Sequence, residues 1–253
     1  MKTMYLSFVF TAFLLGNMFA SPEVDSLYIQ ANDFYKEAKF EEALAIYKKV
    51  DSLGYESPEV YFNIANAYFR SNNPGHARLY YERAKLLDSG DPDINANLEF
   101  ISTMLTDRFD EVPEFFLKTW LRKMVLGLHP DEWLIVSLIL FSLFLLGGLF
   151  YIFFKSIAFR KAGFYIAIFS ISFSIFTLLL SYISYQKVSD PSSAIIMEGS
   201  QNVKSAPRQS GKDLFILHEG TKVAIENSID SWSEIRISDG RKGWVPDGSF
   251  EEI

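Results

Sequence analysis

Two stretches dominate the chain: WLIVSLILFSLFLLGGLFYIFF from Trp133 to Phe154, and FYIAIFSISFSIFTLLLSYISY from Phe164 to Tyr185. Each runs 22 residues without a charged side chain. Each meets the roughly 20 residues that a helix needs to cross about 30 Å of hydrocarbon. The connector KSIAFRK, Lys155 to Lys161, has seven residues, three of them cationic. So short a link makes the two spans an antiparallel hairpin, and its charge favours the cytoplasmic side. Neither span contains Asp, Glu, Lys, Arg or His. Ion and proton pathways need ionisable groups at depth, so the spans read as anchors.

The second span carries a seam of small residues: Gly163, Ala167, Ser170, Ser174, Thr177, Ser181 and Ser184. Steps of four and three keep them on one helix face, where small side chains and hydroxyls permit close helix approach. The nearest partner is the first span, through Gly147 or Gly148 and Ser137. Docking of another membrane protein is the alternative.

Upstream, FFLKTWLRKMVLGLHP spaces Phe116, Trp120, Met124 and Leu128 four apart among Lys118, Arg122 and Lys123. This predicts an amphipathic helix over 113–129 on the membrane surface. Those three cations equal the count in the connector, so orientation rests on the N-terminus. There a single Lys2 precedes an apolar stretch from Met4 to Leu15 and small residues at Ala20–Ser21. That is the layout of an export signal over 1–20, and it puts both flanking regions outside the cytoplasm.

The 253-residue chain has net charge −7 and no cysteine. From Ser21 to Glu114 there are 9 basic and 18 acidic residues, and from Lys187 to Ile253 there are 8 against 11. Acidic end regions exclude a nucleic-acid partner, since phosphate contacts require clustered cations.

The N-terminal region repeats itself at an offset of 34 without gaps. Ala31 aligns with Ala65, Phe34 with Tyr68, Ala43 with Ala77, Tyr47 with Tyr81, Val50 with Ala84 and Leu53 with Leu87. Helix-start signals recur as SPE at Ser21, SPE at Ser57 and DPD at Asp91: a capping side chain, Pro at the first helical position, and an acid at the positive end of the dipole. Each unit resembles a tetratricopeptide repeat, a pair of antiparallel helices per 34 residues. The units occupy 24–57 and 58–91, and PDINANLEFISTML from Pro92 to Leu105 reads as a capping helix closing the domain at 106. Ala38 and Asn72 stand where that family places Gly before its second helix. The resemblance also implies a concave groove along the first helices, lined by Tyr28, Asn32, Tyr35 and Lys36, then Phe62, Asn66, Phe69 and Arg70. Repeated Asn suits the clamping of an extended peptide or a carboxylate terminus. Asn32 and Asn66 could equally hydrogen-bond within their own helix pair.

After a linker over 187–193 the text becomes short β-rich runs: AIIMEG, NVKSAP, LFILHEG, TKVAIE, SWSEIRI and GWVP. Asp239–Gly240 marks a tight hairpin. About six strands in 194–253 suggest a small barrel, which resembles a bacterial SH3 domain through NVKSAP, LHEGTKVAI, Ser231–Trp232 and DGRKGWV. Trp232 and Trp244 are expected to complete its core. Such domains bind cell-wall peptides or protein segments.

The three histidines, His76, His129 and His218, fall in three different segments, and no metal-ligand spacing or nucleophile motif accompanies them. No catalytic residue, metal or cofactor is expected, and the chain is read as a non-enzyme.

The fold class is thus a multidomain membrane protein: an all-α tetratricopeptide-repeat domain, a two-helix transmembrane hairpin (133–154 and 164–185, with the 155–161 loop cytoplasmic), and an all-β SH3-like small barrel. This order is similar to the BatE family of the Bacteroides aerotolerance operon. The resemblance implies a multi-pass protein of a Gram-negative inner membrane with both end domains periplasmic. It implies protein partners too, von Willebrand factor A-domain membrane proteins, a MoxR-type ATPase and other products of that operon, beside membrane lipid. The expected role is a scaffold or adaptor for an aerotolerance or envelope-stress complex. The alternative is an envelope sensor whose SH3-like domain binds peptidoglycan.

Overall fold

The structure, a computed structural model, describes residues 22–109, 116–125, 127–189 and 193–253. The export signal over 1–20, part of the 187–193 linker and the side chains of Lys118, Arg122 and Lys123 lie outside the described residues.

Five helices form the N-terminal region: α1 Pro22–Lys36, α2 Phe40–Ser52, α3 Pro58–Arg70, α4 Pro74–Leu87 and α5 Pro92–Met104. Their starts follow local chemistry. The Ser57 hydroxyl accepts from Val60 N at 3.2 Å, Asn73 Oδ1 from His76 N at 3.3 Å, and Asp91 Oδ1 from Asp93 N at 2.7 Å and Ile94 N at 3.2 Å. A Pro follows each cap, where a missing N–H costs nothing. Within each helix pair the turn passes through a left-handed residue, Ala38 at φ 59° and Asn72 at φ 58°. These are the two positions where the repeat pattern favours Gly. Ala31, Ala43, Ala65 and Ala77 are fully buried, and Tyr47, Tyr68 and Tyr81 fill the space that such small residues leave between helices.

The C-terminal region is a seven-stranded antiparallel sheet: β1 Ser193–Ile196, β2 Ser200–Lys204, β3 Asp213–His218, β4 Lys222–Ile229, β5 Trp232–Arg236, β6 Lys242–Pro246 and β7 Phe250–Glu252. Its order is β3-β2-β6-β5-β4-β1-β7. Six of these strands supply one core, Ala194, Ile196, Val203, Leu217, Val223, Ile235 and Val245, with Ile237 beside them, so the sheet curls around it. Gly240 takes φ 91° in the β5–β6 turn. Trp232 and Trp244 are not in this core. Alternation along β5 and β6 sends Ser233, Ile235, Gly243 and Val245 inward, which places both tryptophans on the outer face. The seventh strand, with two Glu in three residues, has no apolar alternation to betray it.

The sheet packs directly on the repeats. Along β1, Ala194 and Ile196 enter the sheet core while Ile195, fully buried, joins the core of the helices, with Met197 and Ile253 beside it. Period-two alternation thus makes one apolar strand serve two cores. Polar contacts surround it. Lys222 Nζ lies 2.6 Å from the buried Glu82 Oε2 on α4, and Arg83 donates to Glu251 Oε1 at 3.1 Å and Glu252 O at 2.6 Å. Asp107, just past α5, accepts from His218 N and Thr221 Oγ1, each at 2.7 Å, with His218 Nδ1 2.8 Å from its other oxygen. Gly220, at φ 84°, passes so close that a Cβ there would lie 2.5 Å from the Leu105 side chain. Two repeats and a cap bury little continuous core alone; the sheet covers their back.

Between these regions lie α6 Phe116–Val125, α7 Pro130–Phe153 and α8 Ile157–Ser189. The last two are each long and apolar enough to cross a membrane. They extend beyond the charge-free runs. At the start of α7, His129 and Glu132 form a reciprocal cap ahead of Pro130. The first turns of α8 absorb most of KSIAFRK, because Arg160 N donates to Ser156 O at 3.1 Å. The expected seven-residue loop is therefore only Phe154 to Ser156. Trp133 Nε1 reaches back to Val125 O at 3.1 Å, tying α6 to the hairpin base.

Candidate functional site

The groove residues named from the sequence lie on α1 and α3, the first helices of the two repeats. Tyr28, Asn32, Tyr35, Phe62, Asn66 and Phe69 are half-buried, and Lys36 and Arg70 are exposed. Both cations are engaged within the repeats: Lys36 pairs with Asp33 in its own helix at 3.0 Å, and the Arg70 guanidinium crosses to the first repeat, 5.0 Å over the Phe40 ring.

Side-chain amides form a ladder with the 34-residue period. Asn32 Oδ1 accepts from Tyr47 OH at 2.6 Å and Asn63 Nδ2 at 3.4 Å. Asn66 Oδ1 accepts from Tyr81 OH at 2.5 Å and Asn97 Nδ2 at 3.4 Å. Asn63 also donates to Tyr28 OH at 2.8 Å. Each rung thus ties the second helix of one repeat to the first helix of the next unit. Burial pushes the hydroxyls of Tyr47 and Tyr81 far above the usual tyrosine range, so they stay protonated and donate.

With both lone pairs of Asn66 Oδ1 taken, its Nδ2 is what remains, and no hydrogen bond among the described residues uses it. The groove therefore offers donors, to which a peptide carbonyl or a carboxylate is complementary. Beside this rung Phe69 meets Phe100 edge-on at 5.8 Å, and Phe100 and Met104 are 56% and 57% exposed. Asn63, Asn97 and Phe100 were not read from the sequence. One further step of 34 finds the last two, from Asn63 to Asn97 and from Asn66 to Phe100, whereas Asn63 has Ile29 one period earlier.

Residues 58–91 match the tetratricopeptide-repeat family model. This tetratricopeptide repeat is the helix pair α3–α4, and α1–α2 reproduces its Ala65, Ala77 and Tyr81 as Ala31, Ala43 and Tyr47, with the amide rung, one period earlier. No curated protein matches the chain.

The small-residue seam of α8 faces α7. Ser137 Oγ lies 3.1 Å from Ser174 Oγ and 3.0 Å from Ser174 O, and Ser181 Oγ donates to Pro130 O at 2.8 Å. Ser170, Ser174, Thr177 and Ser184 are buried. A Cβ on Gly147 would lie 2.8 Å from Gly163 O and 2.9 Å from Ala167 N, so the helices touch backbone to backbone. Gly148 faces open space.

Proposed function

We propose that this chain is a non-catalytic membrane scaffold that holds an extended protein segment in its repeat groove, close to the bilayer that α7 and α8 cross. The observation that carries it is the amide ladder capped by exposed Phe100 and Met104: donors in register with an apolar floor, on the side of the repeats not covered by the sheet. Tetratricopeptide repeats serve protein–protein interaction, and the ligand chemistry follows from the unused Asn66 amide. The resemblance to the BatE family supplies the setting, an aerotolerance or envelope-stress assembly in a Gram-negative inner membrane with von Willebrand factor A-domain proteins among its partners.

The test is site-specific photo-crosslinking in living cells. A crosslinker at Phe69 or Phe100 should capture a discrete partner, whereas one at Ala45, exposed on α2, should not. Asn66→Asp in the Phe69-crosslinker chain, which keeps the acceptor for Tyr81 and removes the donor, should abolish the product. Equal capture from Ala45 would remove the groove from the proposal.

A further inference from the structure

The tip of the hairpin holds three cations and no carboxylate. From Phe115 to Gln186 the only acidic residues are Asp131 and Glu132. Both sit in the first turn of α7, which puts them about 33 Å from its far end at 1.5 Å per residue. Among the described residues Lys155, Arg160 and Lys161 make no ion pair. No described carboxylate of the chain lies against this tip to balance its charge.

The surroundings say what kind of anion fits. A shallow concavity of 330 Å³ is lined by Tyr151, Ile157, Arg160, Lys161, Phe164 and Tyr165. The Arg160 guanidinium lies 5.1 Å over the Tyr151 ring, so its plane is held while its N–H edge remains free to donate. Ile157 and Tyr165 are 71% and 59% exposed. Free phosphate would satisfy the two cations and leave this apolar rim in water. An occupant with a phosphate and a hydrocarbon chain satisfies both.

We propose that this concavity is a binding site for an anionic phospholipid, with the phosphate between Arg160 and Lys161 and the first acyl methylenes along Ile157 and Tyr165. The inference rests on the membrane-spanning reading of α7 and α8. Tyrosine beside the cations fits the headgroup level of a bilayer. A site of this kind fixes the depth and tilt of the hairpin, because the lipid phosphate is itself confined to the interface.

The test uses the full chain, purified in mild detergent with added equimolar phosphatidylglycerol and phosphatidylcholine, and lipid retained after washing is measured by mass spectrometry. Selective retention of phosphatidylglycerol is expected. The double variant R160Q/K161Q should lower it at least tenfold, and K155Q, outside the concavity, should leave it within twofold. Ile157→Ser keeps every charge, and so the orientation of the hairpin, and should lower retention several-fold. Equal retention of the two lipids, no loss in R160Q/K161Q, or displacement by millimolar inorganic phosphate would each overturn the site. Alkaline carbonate washing of membranes separates the two levels. Extraction of the chain would overturn the spanning reading itself; a chain that stays in the membrane yet shows no lipid preference overturns the site alone.

Discussion

Tyr81 donates its hydroxyl to Asn66 at 2.5 Å, and one period earlier Tyr47 donates to Asn32 at 2.6 Å. Both tyrosines are almost fully buried, so each hydroxyl depends on its asparagine for a partner. Removing the acceptor strands a buried donor, which costs about 1–3 kcal/mol, more than removing both groups together. Asn66→Ala should therefore destabilise the repeats by that amount. The double variant N66A/Y81F should recover part of the loss. Denaturant titration of the full chain in detergent, followed by tyrosine fluorescence, measures both.

Ala38 offers a prediction of opposite sign. Its φ of 59° brings Cβ against the carbonyl, a cost of roughly 1–2 kcal/mol for an L-residue. Glycine removes that strain and gives back part through greater freedom of the unfolded chain. Ala38→Gly should raise stability by up to about 1 kcal/mol, and Asn72→Gly should change it less, because Asn tolerates this region. A lower melting temperature for Ala38→Gly would contradict the assigned turn.

Two of the carboxylates that hold the sheet on the repeats, Glu82 and Asp107, titrate below their usual range. Burial acts to raise Glu82, but Lys222 and then Arg78 outweigh it and hold the carboxyl below its usual value. Burial likewise opposes Asp107, which hydrogen bonds from Thr221 and His218 hold below its usual value. Depressed folded-state pKa values contribute stability that is complete above the ordinary carboxylate pKa near 4. It is lost as pH falls through the lower folded values. Melting temperature should accordingly be flat above about pH 5 and fall below about pH 4. The variant D107N/E82Q should lower stability at neutral pH by a few kcal/mol, on the order of the charge-assisted bonds it removes, and flatten the acid limb.

Ile195 tests the same interface without charge. Truncating a fully buried isoleucine to alanine costs about 2–5 kcal/mol. Because Ile195 belongs to the helical core while Ala194 and Ile196 belong to the sheet, Ile195→Ala should loosen the repeats and spare the sheet. Hydrogen exchange should quicken in α4 and in β1 while β5 and β6 keep their protection.

This division also shows what the sequence could reveal. The repeats were legible because their small and aromatic positions recur 34 residues on, and the two long apolar helices because 22 residues in each carry no charge. The docking was not. Its contacts join Glu82 to Lys222, Arg83 to Glu251 and Asp107 to His218. Each pair is more than a hundred residues apart and obeys no period. Within the groove, Asn97 stayed hidden because its helix was taken only as a cap. Lys155, Arg160 and Lys161 suggested a loop, yet the helix begins among them at Ile157, with Arg160 N donating to Ser156 O.

The hairpin permits a direct measurement because the chain has no native cysteine. Ser137 Oγ and Ser174 Oγ are 3.1 Å apart, so cysteines at both positions should form a disulfide within one chain under mild oxidation. The contact requires Gly147, where a Cβ would meet the backbone of Gly163 and Ala167; backbone cannot yield as a side chain end would. Gly147→Val should therefore push the helices apart and lower disulfide yield several-fold, while Gly148→Val, which faces open space, should leave it unchanged. A covalent dimer in place of the internal bond would show that the seam joins two copies, and the paired arrangement of α7 and α8 within one chain would fall.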